Sequence, residues 1–302
     1  MTNSYASLDD AEVAIAAARA GADVVRTLYG RRLTRIDKGA GDFATAADVD
    51  AEKAILGVLR AARPDDAVLG EEGGQQGATE ATRQWLVDPL CGTLNYAVGN
   101  MLVAVNVALR DGAAAVADPF SGEVFCTDGT TAWVRNDGAT AWVRNDGETT
   151  GVRNDGATAW VRNDGADTRL TPTPATRLVD VNLDPPFPSA PAFRAVDLLA
   201  HPGFGARFRP RVVSTTLALA WVAAGKRAAY VTDGGDLSGS VHFAAGIALC
   251  RAAGCVVTGI DGTPIGNAGA RGLVAAADAE THQSLMSLLP SQRNEFRGYS
   301  CP

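Results

Sequence analysis

Trp85-Leu86-Val87-Asp88-Pro89-Leu90-Cys91-Gly92-Thr93-Leu94-Asn95-Tyr96 is the stretch on which the fold turns. An apolar, β-prone run from Trp85 to Val87 ends at a carboxylate. Pro89, with its fixed φ and missing N–H, and Gly92 then force the chain out of the strand into a tight turn. Such a turn leaves side chains and unpaired backbone N–H groups at a sheet edge, within reach of a ligand.

Three further blocks belong with it. They are Gly41-Asp42-Phe43-Ala44-Thr45-Ala46-Ala47-Asp48 with Glu52 behind it, Gly70-Glu71-Glu72-Gly73, and Val241-His242-Phe243-Ala244-Ala245-Gly246 followed by Arg251-Ala252-Ala253-Gly254. In this order the blocks resemble the motifs of the inositol monophosphatase family, Mg²⁺-dependent, lithium-sensitive phosphomonoesterases. The resemblance extends from residue 8 to residue 265. It implies an α/β (α+β) fold, a layered αβαβα sandwich of the inositol monophosphatase and fructose-1,6-bisphosphatase type. It also implies a homodimer and a small phosphorylated polyol, sugar or nucleotide as substrate.

The resemblance carries site residues with it. Glu71, Asp88 and the carbonyl of Leu90 match the ligands of the first metal ion, and Asp48 matches a peripheral ligand, besides being a candidate N-cap for the helix that follows. Thr93 matches the residue that orients the attacking water, with Glu71 as its base. Backbone N–H groups of Gly92, Thr93 and Leu94 would hold phosphate oxygens, and Lys38 and Asp236 lie in segments that border the substrate. Ser214, Thr215 and Thr216 resemble the family's entry to a substrate-contacting helix, where N–H groups face an anion; simple capping explains them equally well.

Two positions depart from the pattern. Cys91 and His242 stand where relatives place carboxylates on a second metal ion. A thiol and an imidazole suit Zn²⁺ and other softer ions better than Mg²⁺, so one Mg²⁺, a softer ion at Cys91 and His242, or no metal are all open. Loss of two anionic ligands predicts weak two-Mg²⁺ phosphatase activity. A thiol beside an imidazole also makes a candidate nucleophile pair, with Asp88 or Glu71 orienting the ring. Three readings therefore stand: a phosphate-ester enzyme with an altered site; Cys91–His242 catalysis of acyl transfer, thioester chemistry or cyclisation; and a non-catalytic binding relative.

Composition bounds these readings. The chain has 302 residues, of which 46% are hydrophobic, and can bury a large core. Its net charge of −7, with no basic stripe, argues against nucleic acid and against an anionic membrane surface as partners. No apolar run approaches the roughly 18 residues that span a bilayer. Five cysteines without paired spacing and the absence of a secretory leader point to a reduced, cytoplasmic setting.

Along the chain, helical signals cover residues 11–28, 49–62 and 243–253, an Ala-rich helix follows Thr216 and closes at Gly225, and a last helix lies around 279–289. Strands are expected at 67–69, 102–109, 113–117, 123–126, 178–181, 228–232 and 255–258. The polar run 74–82 reads as a loop, as does the 233–240 segment, which could cover the site. The basic cluster Arg31, Arg32, Arg35 and Lys38 reads as a solvated face. Residues 131–166 are four nine-residue units built on Thr-Ala-Trp-Val-Arg-Asn-Asp-Gly-Ala, a hairpin-like tandem insertion whose Trp133, Trp142 and Trp160 offer a surface. The expected division is residues 1–130, an N-terminal α+β part with the metal-type motifs; the insertion, 131–166; and a C-terminal α/β part, 167–302.

Overall fold

The computed structural model describes residues 5–39, 42–78, 81–136, 167–183, 195–234, 237, 239–267 and 270–289. Helix α1 (Asp10–Leu28) starts where Asp9 accepts from the Glu12 N–H at 2.8 Å. A hairpin of β1 (Arg35–Gly39) and β2 (Asp42–Thr45) leads into α2 (Ala46–Ala62). Then come β3 (Ala67–Gly70), β4 (Gly74–Gln76), β5 (Gln84–Cys91) and the single turn α3 (Thr93–Ala97). A meander of β6 (Ala104–Leu109), β7 (Ala114–Ala117), β8 (Glu123–Thr127) and β9 (Ala132–Asn136) follows, and β10 (Thr168–Arg169) returns to pair with β9. The rest of the chain is β11 (Leu178–Asn182), α4 (Ala195–Ala200), α5 (Pro202–Arg207), β12 (Arg209–Val212), α6 (Leu217–Ala223), β13 (Ala229–Thr232), α7 (Ala244–Ala253), β14 (Val256–Thr258), β15 (Leu273–Ala276) and α8 (Ala279–Met286).

The strands form two large sheets. The first has eight strands in the order β10-β9-β8-β7-β6-β5-β3-β4, and the second five in the order β12-β11-β13-β15-β14. Helices α1 and α2 cover one face of the first sheet, burying Ile15, Val25, Ile55 and Leu59 against Trp85, Val105 and Val107. Its other face meets α6 and α7, which are sandwiched against the second sheet through Phe125, Leu217, Leu219, Tyr230 and Leu249. Beyond that sheet Phe204, Phe208, Leu198 and Leu285 of α4, α5 and α8 close the outer layer. The layers thus run αβαβα, as expected. Gly21 permits the tightest inner contact, since a Cβ there would sit 2.8 Å from Ile55 Cδ1 and 2.9 Å from Val105 Cγ1.

Several local expectations need correction. The 74–82 run is not wholly loop, because Gly74–Gln76 pairs with β3 as an edge strand. The N-cap of α2 is Thr45 rather than Asp48, which sits at N3 and completes a capping box. Strands β12 and β15 and helices α4 and α5 carried no strong periodic signal and are set by tertiary packing. β10 belongs to the first sheet although it follows the repeat. Of the repeat, the structure describes only the first strand; there Trp133 is half-buried and packs on the inner core, while Trp142, Trp160 and Asp236 lie outside the described residues.

Candidate active site

The site forms where β3 and β5, the parallel pair of the first sheet, end side by side, with Gly70 opposite Val87. The next residue on each strand is a carboxylate, Glu71 and Asp88. Past Asp88 the register against β6 shifts, from Asp88 opposite Asn106 to Cys91 opposite Ala104. Gly92 then takes a left-handed φ of 101° and caps α3. A long-range contact locks this turn to the second half of the molecule, as the Asn95 side-chain amide donates to the carbonyls of Leu102 at 2.9 Å and Ser214 at 3.1 Å.

Glu52 holds the other carboxylate loop. Its oxygens accept from the N–H groups of Glu72 at 2.9 Å and Gly73 at 2.7 Å. Glycine is needed at 70 and 73, since a Cβ at either would lie 2.6 Å from a Glu52 oxygen. Lys38, on the exposed hairpin, bridges Glu71 at 3.0 Å and Glu72 at 2.7 Å. Burial opposes its charge, but its hydrogen bond to Glu72 and the Glu71 charge hold its pKa up.

At the centre Asp88 is fully buried, and its Oδ1 accepts from the Leu90 N–H at 3.1 Å. Its Oδ2 faces His242 Nδ1 at 2.8 Å. Glu71, Asp88 and His242 each aim one ligand atom at a common point, all within 4.8 Å of one another. Burial disfavours a charged His242, but the hydrogen bond to Asp88 and the charges of Asp88 and Glu71 lift its pKa to about 9. Burial and the Asp88 charge push Glu71 up to about 8, against the pull of His242 and Lys38. Burial would also raise Asp88, but the His242 charge and hydrogen bond bring it below its usual range.

Cys91 turns elsewhere. Its Sγ accepts from the Thr216 N–H at 3.3 Å and lies 3.1 Å from Thr216 Oγ1. The Thr216 hydroxyl lies 2.7 Å from the His242 carbonyl, the better acceptor for its one proton. Burial keeps Cys91 a neutral thiol. Burial and the Asp88 charge raise its pKa well above the usual thiol value, against the two Thr216 contacts. Among the described residues Cys91 is not part of the Glu71, Asp88 and His242 convergence. The contacts of the two residues are separate, with Thr216 for the thiol and Asp88 for the ring.

The remaining expected residues divide. Thr93 Oγ1 lies 2.9 Å from Asp48 Oδ1 and 3.2 Å from the Leu90 carbonyl, at the edge of the cluster. Asp48 is committed to structure, since its Oδ2 accepts from the Thr45 N–H and hydroxyl at 2.7 and 2.6 Å. Burial raises its pKa against these bonds. Leu94 is 61% exposed beside the turn. Thr215 and Thr216 do not present free N–H groups to solvent: both are buried, and the Thr216 N–H is taken by Cys91. Ser214 contributes its carbonyl to Asn95.

Sequence reasoning missed Asn106. It lies opposite Asp88 on β6 and donates to Thr216 Oγ1 at 3.0 Å, with Asp88 Oδ2 at 3.4 Å. A lone amide in the apolar run 102–109 was the available signal. Its Oδ1 is buried without a hydrogen-bond partner.

Two carboxylates and one imidazole nitrogen fit a single divalent ion, and the nitrogen favours Mn²⁺ or Zn²⁺ over Mg²⁺. No described helix is long and apolar enough to cross a membrane. The four described cysteines, Cys91, Cys126, Cys250 and Cys255, are free thiols.

Comparison with known proteins accords with this geometry. The family model described as the inositol monophosphatase family matches residues 8–294. Over 93 residues the chain is 43% identical to an inositol-1-monophosphatase of Caulobacter vibrioides, covering 29% of this chain and 36% of that protein. Over 119 residues it is 34% identical to the Nus factor SuhB of Vibrio cholerae, covering 37% of this chain and 45% of that one. The matched stretch is thus less than half the length of either relative. The fold is similar to that of the extragenic suppressor protein suhB from Bartonella henselae, with a TM-score of 0.71 at 23% identity over 92% of this chain and 97% of that one. It is also similar to the Thermotoga maritima IMPase, with a TM-score of 0.67 at 20% identity over 93% of this chain and 96% of that one.

Proposed function

Because the chain belongs to the inositol monophosphatase family, we propose that it hydrolyses a small phosphorylated polyol or sugar with one divalent ion held by Glu71, Asp88 and His242. The observation that carries this reading is the convergence of those three ligand atoms within 4.8 Å at the ends of β3 and β5. The Leu90 carbonyl, which lies 3.2 Å from Thr93 Oγ1, would add a fourth donor. When bound, the ion supplies Lewis-acid polarisation of the phosphoryl group and offsets its charge.

The chain's own groups do the rest. Thr93 donates to Asp48, leaving its oxygen lone pairs to accept from a water and orient it. In its ionised form Glu71 takes that water's proton, its raised pKa making it a stronger base, and the leaving alkoxide takes a proton from solvent. Gly92, Thr93 and Leu94 supply backbone N–H groups to phosphate oxygens. Cys91 is a wall residue whose neutral thiol holds the Thr216 turn. With one ion instead of two, turnover is low, and Mn²⁺ supports it better than Mg²⁺.

Phosphate release from a panel of inositol and sugar phosphates, with Mn²⁺, Mg²⁺ or chelator, tests the reading. The expected result is ion-dependent release that Glu71→Gln abolishes and Cys91→Ala preserves. Release that persists in chelator and disappears in Cys91→Ala would return the assignment to thiol chemistry.

One observation favours a second reading, a binding relative without turnover. His242 and Lys38 pair with Asp88, Glu71 and Glu72 from within the protein, which offsets part of their charge without an ion. A homodimer in a reduced, cytoplasmic setting is compatible with both readings and is tested by light scattering and by thiol counting of the native protein.

A further inference from the structure

A second concavity lies beside the candidate active site. It has a volume of about 340 Å³ and is lined by Gly30, Arg31, Arg32 and Leu33 from the turn after α1, Arg35 of β1, Thr45 at the head of α2, and Tyr96, Ala97 and Gly99 around α3. We propose that this cavity is an anion site for a small molecule carrying at least two negative charges, a diphosphate or a bisphosphorylated metabolite.

Charge carries the argument. Three arginines and no acidic residue line this one concavity, in a chain whose net charge is −7. Arg26, Arg63, Arg83, Arg135 and Arg227 are each paired with an acid. Among the described residues the Arg31 and Arg32 side chains make neither an ion pair nor a hydrogen bond, although the Arg31 N–H donates to the Leu28 carbonyl. Arg35 is anchored by its guanidinium stacking 3.6 Å over the Phe43 ring, a contact that uses the face of the group and leaves its edge donors free. Like charges crowded together repel, and a multivalent anion with several acceptor oxygens relieves that repulsion through forked hydrogen bonds.

Size and setting select the ligand. The volume lies at the small end of ligand pockets, roughly 300–1,000 Å³, which suits a diphosphate or a sugar bisphosphate and excludes a folded partner. The cavity walls are fixed: the Tyr96 hydroxyl donates to the Val25 carbonyl at 2.7 Å, and Tyr29 donates to the Gly99 carbonyl. The cavity also shares a wall with the candidate active site, since Thr45 holds Asp48, and Asp48 holds Thr93. The site does not depend on the hydrolytic reading, because none of its lining residues belongs to the Glu71, Asp88 and His242 cluster.

The test is calorimetric titration of the full chain with pyrophosphate in the presence of chelator, so that no divalent ion contributes. Saturable binding is expected, weakened about tenfold by Arg31→Gln or Arg32→Gln and more by the pair, as expected for loss of a charge-assisted bond. Arg32→Lys, which keeps the charge, should retain more affinity than Arg32→Gln. Bound pyrophosphate should also shield Arg31 and Arg32 from phenylglyoxal, mapped by peptide mass spectrometry. A parallel titration with glucose 1,6-bisphosphate separates the sources: tighter binding than pyrophosphate assigns a phosphorylated metabolite, weaker binding the inorganic ion. No heat with either probe, unchanged affinity in the double variant, or shielding of arginines elsewhere would overturn the proposal. All three arginines are exposed, so folding is not at stake in these variants.

Discussion

Asp88 Oδ2 lies 2.8 Å from His242 Nδ1, joining residues 154 positions apart in the chain. The pair puts a proton-bearing imidazole against a fully buried carboxylate. If Asp88 is what keeps the ring protonated, Asp88→Asn should bring His242 down from about 9 towards its ordinary 6.5. NMR titration of the imidazole measures this directly. An unmoved value would assign the shift to Glu71 instead.

The same pair gives a pH dependence whose sign can be worked out. The folded His242 holds its proton up to about 9 where the unfolded one releases it near 6.5, so its stabilisation is full below 6.5 and is lost as pH rises through about 9. Glu71, raised from 4.5 to about 8, likewise binds more protons folded than unfolded and acts in the same direction. The melting temperature in chelator should therefore fall as pH goes from 6.5 to 9. Affinity for Mn²⁺ should rise over the same window, because ligands must shed their protons to bind an ion. A melting temperature that climbs through that window contradicts the assignment.

Carboxylates in place of Cys91 and His242 test the proposed reading of these two positions. Cys91→Asp combined with His242→Asp should raise Mg²⁺-dependent phosphate release by on the order of a hundredfold, the scale of electrostatic groups at such sites. Cys91→Ala alone should change the rate less than about tenfold, or about 1.4 kcal/mol of barrier. Steady-state phosphate release decides both. Loss of all activity in Cys91→Ala would make the thiol a participant.

Trp85 is the fold's most telling single probe. It is fully buried in the inner core, and its indole N–H donates to Asp66 Oδ2 at 2.8 Å. Trp85→Ala should cost about 3–5 kcal/mol in denaturant unfolding, and Trp85→Phe less, since the ring volume is largely kept while Asp66 loses a donor. Equal costs would show that the hydrogen bond, not the packing, matters there.

Much of this architecture was legible in the chain. The Ala-rich periodicity of α1 and α2, the apolar run ending at Asp88, and the Gly-Glu-Glu-Gly block locate the two carboxylates at adjacent strand ends, because local patterning decides which segments are strands and where glycine must turn them. The roles of Glu71 and Asp88 came from the resemblance to the inositol monophosphatase family and not from local patterning. Partner choice was not legible. Cys91 and His242 flank one site, yet the thiol bonds to Thr216 and the ring to Asp88, a division that depends on where α6 and α7 dock against β6 and on the amide of Asn106 between them. The hold of Lys38 on Glu71 and Glu72 likewise depends on how the β1–β2 hairpin folds over the strand ends. Periodicity and turn chemistry act over a few residues, and they determined the elements. Hydrogen-bond partners, burial and the resulting shifts in proton affinity depend on side chains more than a hundred positions apart, and only tertiary packing decides them.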